Sequence, residues 1–128
     1  MLAAEATVRD FIGRINAHDA HGIVAVCTPD HCFIDNLGAR LVGLAAVEQA
    51  WVGYFALFPD YRIEVDAMTS AGELVMSSGW ASATLRGSGH AWRIPAAWRA
   101  TVAANRIAEW QVYADNKPVY EILQQFPR

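Results

Sequence analysis

FPDYRIEVDAM, residues 58–68, is where the periodicity of this chain changes. Upstream, apolar residues recur at helical spacing. Within the stretch, Tyr61, Ile63 and Val65 alternate with Arg62, Glu64 and Asp66, the pattern of a strand with one wet face. Working back, Val8, Phe11, Ile12 and Ile15 fall at i, i+3, i+4 and i+7 and predict an amphipathic helix over 3–17. Asn16 to Asp19 break it, and Asp19 can cap a short second helix over 20–27, ended by Pro29. After HCFIDNLG (31–38) comes a short strand-like LGARLVG (37–43), and LAAVEQAWVGYFAL (44–57) reads as a third helix. Working forward, strands are expected over 74–86, from HAWRIPAAWRAT to about 101, and over RIAEWQVYA (106–114). Asp115 and Pro118 then mark the start of a last helix carrying Val119, Ile122 and Leu123. Helices early and an antiparallel meander late make this an α+β chain, read as one domain over 1–128. A curved sheet around the first helix would leave a cone-shaped hollow, kept open by small residues at Ala81, Ala83, Ala96 and Ala100.

Composition narrows the function. Of the 128 residues, 54% are hydrophobic and 18% charged, with five Trp, five Phe and four Tyr, so apolar surface is expected to line a cavity or an interface. Net charge is −3 and Lys117 is the sole lysine, which argues against nucleic acid or an anionic membrane as partner. Cys27 and Cys32 have neither zinc nor redox-motif spacing and are read as reduced and partly buried. No segment reads as a signal peptide or reaches transmembrane length, and a cytoplasmic location is the simplest expectation. No histidine–carboxylate spacing on one strand face suggests a metal.

Asp35 is the candidate functional residue. Two apolar residues, Phe33 and Ile34, run into it, and Asn36, Leu37 and Gly38 follow. Asp beside Asn and Gly is ordinarily a turn residue whose side chain bonds the backbone ahead of it. A carboxylate aimed into an apolar pocket would instead be a candidate general base. His31 reads as a surface histidine after Pro29-Asp30, with a proton-relay role beside Asp35 as the alternative. Asp115 reads as a helix cap.

The segments FIGRINAHDAHGIVAVCTPD, FIDNLG, FPDYRIEV and RIAEWQVYAD, in this order, resemble the NTF2-like superfamily, closest to its SnoaL-like and ketosteroid-isomerase-like members. The resemblance covers about 5–125. It implies a cone-shaped α+β barrel, with a curved antiparallel sheet wrapped around a long N-terminal helix and a pocket inside. It places Asp35 on the ketosteroid isomerase base. It puts Phe11 where that family has a donor tyrosine, and Ala96 where it has a protonated aspartate or SnoaL-type cyclases have their acid. Neither can donate a hydrogen bond to an enolate oxygen. Epoxide-hydrolase-like chemistry is not expected, because its late-strand acid would fall near Val112, and no paired histidines support a dehydratase-like site. The ligand-binding residues implied are Phe11, Trp51, Phe55, Phe58, Ala96, Trp98, Trp110 and Val112. The expectation is a small apolar ligand, no cofactor and a homodimer. The function is either isomerase- or cyclase-type proton transfer on a carbonyl compound with Asp35 as base, or a non-catalytic binding or dimerisation module of the same fold.

Overall fold

The computed structural model describes residues 3–125. The first helix, α1 (Ala3–Asn16), buries Val8, Phe11, Ile12 and Ile15 on one face, as their spacing requires. Asp19 caps α2 (Ala20–Ala25), its Oδ1 accepting the Gly22 N–H at 2.9 Å. The chain continues through β1 (Cys27–Ile34), β2 (Arg40–Val42), α3 (Leu44–Leu57), β3 (Arg62–Ala71), β4 (Leu74–Thr84), β5 (Ala91–Ala103), β6 (Arg106–Ala114) and α4 (Lys117–Gln125). At the start of α4 the Asp115 carboxylate accepts the Lys117 N–H at 3.0 Å, so the capping role read from the sequence is present.

Six strands form one open sheet in the order β2-β1-β6-β5-β4-β3. Pairing is antiparallel except between β1 and β6, which are parallel. Register shifts in the β1/β6, β3/β4 and β5/β6 pairs bend the sheet, since an unmatched residue kinks its strand. The β3 shift lies opposite Gly79, where a β-carbon would collide with the Glu64 carbonyl; only glycine lets the strands approach there. Pro95 stands one residue before β5 begins to pair with β6, an edge position that tolerates a missing donor. The sheet curls around α1, which packs against β3 to β6.

One boundary differs from the sequence expectation. The second helix stops at Ala25, and β1 starts at Cys27 and runs through Pro29. Between Cys27↔Ile107 and Cys32↔Glu109, five positions of β1 face two steps of β6, and Pro29 lies within that irregularity. On β4, Val75, Ser77, Ala81 and Ala83 alternate and are buried inward. Trp80 lies on the outer face, with the Arg93 guanidinium 3.9 Å above its ring. No described helix is long and apolar enough to cross a membrane. Both cysteines are free and buried, and burial pushes the Cys27 thiol up to about 12.

Candidate functional site

The hollow of the cone is a cavity of about 380 Å³. Its roof is α3, which contributes Trp51 and Tyr54, with Phe58 at its C-cap, and Tyr61 follows from the loop before β3. Its floor is the inner face of β4, β5 and β6, with Ala81, Trp92, Ile94, Ala96, Trp98, Trp110 and Val112. The turn after β1 supplies Asp35 and Asn36, and α4 supplies Val119, Tyr120 and Leu123. Small side chains at Ala81, Ala96 and Ala114 leave the space that larger residues would occupy.

Six of the eight ligand-binding residues expected from the sequence stand in this wall: Trp51, Phe58, Ala96, Trp98, Trp110 and Val112. Trp98 and Trp110 stack with centroids 6.3 Å apart and planes 18° apart, a flat apolar surface. Phe11 and Phe55 require correction. Phe11 is fully buried behind the wall, its ring 4.8 Å from Trp110, because it belongs to the core stripe of α1. Phe55, one turn on from Trp51 along the same face of α3, is covered instead by its neighbours, stacked 4.2 Å from His18 and 5.3 Å from Trp51. Helical spacing groups it with Trp51 without telling which side of Trp51 is cavity and which is core.

Asp35 is the turn residue its sequence context allowed, and it stands at the edge of the cavity. Its Oδ1 accepts the N–H groups of Leu37 at 2.8 Å and Ala39 at 2.9 Å, which makes it the Asx-type turn residue expected before Gly38 (φ 86°). Half-buried, it also borders the cavity, and its Oδ2 accepts no hydrogen bond among the described residues. The turn therefore fixes one carboxylate oxygen and leaves the other unengaged. Asn36 beside it accepts the Tyr120 hydroxyl at 3.3 Å, linking this corner to α4.

A second polar group lies at the α3 side. Tyr54 and Tyr61 meet edge to face with centroids 4.9 Å apart, and Tyr61 lies 6.1 Å from Trp92. Neither phenol makes a hydrogen bond among the described residues, and the buried Trp92 indole N–H has none either. Burial holds the Tyr54 phenol well above its usual range, and the Tyr61 and Tyr120 phenols push it further; burial alone raises Tyr61. Both stay protonated, and so able to donate, at any working pH.

Tyr61 is held in place through its backbone. In the turn after α1, His18 (φ 57°) places its Nε2 2.7 Å from the Tyr61 carbonyl. Asn16 exchanges two hydrogen bonds with Ile63, at 2.9 and 2.8 Å. Tyr61 was legible only as a strand residue on the Ile63–Val65 face.

His31 is not a surface residue. The β1 irregularity turns it inward, fully buried, with Nδ1 2.9 Å from the Ile107 carbonyl and Nε2 without a partner among the described residues. Burial lowers its pKa, only partly offset by the Ile107 carbonyl and the charges of Asp30 and Glu109. It shares a strand face with Asp35 but does not line the cavity. Among the described residues no three His, Cys, Asp or Glu side chains converge as metal ligands would.

Residues 8–110 match the model of the SnoaL-like domain. A protein from Jannaschia sp. CCS1 classed with SnoaL-like polyketide cyclases superposes with a TM-score of 0.86 at 18% identity, over 98% of this chain and 94% of the other. AclR from Streptomyces galilaeus, classed as a hydroxylase, gives 0.80 at 18% identity over 97% of both chains. An NTF2-like protein from Burkholderia thailandensis E264 gives 0.83 at 19% identity, over 97% of this chain and 99% of the other. No curated protein matches the sequence. Identities this low establish a shared fold, which is common to many chemistries.

Proposed function

The chain belongs to the family of SnoaL-like domains, and from that premise we propose that it moves a proton on an apolar ring ketone held in the cone, with Asp35 as the base. The observation that carries the reading is one carboxylate at the rim of an aromatic cavity, with Oδ1 tied to two backbone N–H groups and Oδ2 left unengaged. In this scheme Oδ2 takes a proton from a carbon next to the carbonyl, and the electron pair moves onto the ketone oxygen as an enolate. Returning the proton to a different carbon is isomerisation; attack of the enolate carbon on a second carbonyl is cyclisation. Neither route calls for a cofactor, since the base and a dry pocket suffice.

Deuterium exchange into 2-tetralone tests this, because that bicyclic ketone carries exchangeable hydrogens on both sides of its carbonyl. The wild type is expected to accelerate exchange in D₂O, and Asp35→Asn to remove about 10²–10⁴-fold of the acceleration. Bound 2-tetralone with no acceleration would leave the second reading, a non-catalytic binding module. That reading is favoured by Phe11 and Ala96, which stand where the family's usual donors would be. In either case we propose a homodimer formed through the outer sheet face that carries Trp80.

A further inference from the structure

An enolate needs donors for its oxygen, and the two positions where the family resemblance would put them hold Phe11 and Ala96. The cavity has unengaged donors elsewhere. Trp110 on β6 has one, its buried indole N–H, beside Phe11, but Tyr54 on α3, Tyr61 before β3 and Trp92 at the start of β5 gather three at the other side, and all line the cavity. The Trp92 indole N–H is buried with no partner among the described residues, so water cannot freely satisfy it, and the two phenols open onto the cavity. A buried donor without a partner costs on the order of 1–3 kcal/mol, and a ligand oxygen would relieve that cost. These groups are also rigid. Tyr54 packs 5.0 Å from Phe58 and edge to face on Tyr61, and His18 and Asn16 fasten the segment that carries Tyr61. Fixed donors need no reorganisation when charge develops beside them.

We infer that the hydroxyls of Tyr54 and Tyr61, with the indole N–H of Trp92, receive the carbonyl oxygen of a ring ketone, which points its oxygen towards the α3 side of the cone rather than towards α1. The ring then lies over the Trp98–Trp110 surface, with its acidic carbon towards Asp35. The inference rests on the ring-ketone reading above, and its ligand class is a mostly hydrocarbon ring system with one keto oxygen. Asn36 and Tyr120 already bond each other and are not needed for that oxygen.

The test compares 2-tetralone with tetralin, the same bicyclic skeleton without the oxygen. Bound to the wild type, the ketone's carbonyl stretch should lie well below its position in hexane. Tyr54→Phe and Tyr61→Phe, which keep the rings, should each move the stretch back up. Each should weaken 2-tetralone by about 2- to 13-fold, the worth of one ordinary hydrogen bond, and leave tetralin within about twofold. A hexane-like stretch in the wild type overturns the inference without any variant being needed. So does failure of 2-tetralone to bind more tightly than tetralin, or a loss of tetralin affinity equal to that of the ketone in the Phe variants. A lowered stretch without deuterium exchange would sink Asp35 as the base and leave the donor assignment standing.

Discussion

Ala96 and Ala100 lie on the same face of β5, four residues apart, and the structure gives them opposite responses to one substitution. Ala96 borders the cavity, whereas Ala100 is 1% exposed, paired with Trp110 and closed in by the core. Leucine adds three carbons. At Ala96 they enter empty space of about 380 Å³, which is ample room for them. At ~0.8 kcal/mol per buried methylene, three carbons give about 2.4 kcal/mol, and roughly 0.5–1 kcal/mol of lost rotamer freedom leaves Ala96→Leu about 1–2 kcal/mol more stable. At Ala100 the same carbons meet packed neighbours, and overpacking should destabilise by about 1–3 kcal/mol. Urea unfolding with unchanged slope reads both differences, and binding of 2-tetralone reads the cost of filling the hollow. Ala96→Leu should lose most of that binding. Equal destabilisation by both substitutions, with binding intact in Ala96→Leu, would refute the open cavity and every functional statement built on it.

Four other expectations are independent of the ligand. Burial keeps His31 neutral in the fold, whereas in the unfolded chain it titrates near 6.5. Below that pH the unfolded chain binds a proton the native state refuses, so stability should fall by up to about 1.4 kcal/mol per pH unit relative to His31→Phe. Parallel curves for the two proteins between pH 7 and 5 would contradict it. Burial is the largest single influence on the Asp60 carboxyl and raises it, but the Thr84 N–H at 2.6 Å and hydroxyl at 2.8 Å, with its own backbone N–H and the His18 charge, together lower it overall. Its contribution is therefore present above the ordinary carboxylate range and lost as pH falls through the depressed folded value. The Tm difference between wild type and Asp60→Asn should shrink from pH 7 to pH 3. Gly79→Ala forces β3 away from β4 and should cost about 1–3 kcal/mol in urea unfolding; an unchanged midpoint would mean the β3 bulge is not as described. Sedimentation should give twice the monomer mass, and Trp80→Glu should halve it; an unaffected dimer would place the interface elsewhere.

Periodicity carried the elements because each long one has a single buried face: α1 through Val8, Phe11 and Ile15, β5 through Ile94, Trp98 and Val102. It failed at β1, where Pro29 is read as a helix terminator but rides in a strand irregularity that only β6, nearly 80 residues later, makes possible. His31 was misread for the same reason: nothing local indicates that its imidazole meets the Ile107 carbonyl. At the site, Asp35 was legible from its neighbours, because an Asx turn is a local event. The Tyr54–Tyr61–Trp92 group was not, since three elements assemble it and the signal for open space lies in alanines on other strands. Phe11 and Phe55 show the converse: a helix pattern identifies a buried aromatic without telling core from cavity wall.

A crystal structure of the protein soaked with 2-tetralone tests the central claim most directly. The ring should lie over Trp98 and Trp110, with the ketone oxygen within about 3 Å of the Tyr54 or Tyr61 hydroxyl and an exchangeable carbon within about 3.5 Å of Asp35 Oδ2. A ketone pointing its oxygen towards Phe11, or bound outside the cone, would contradict it.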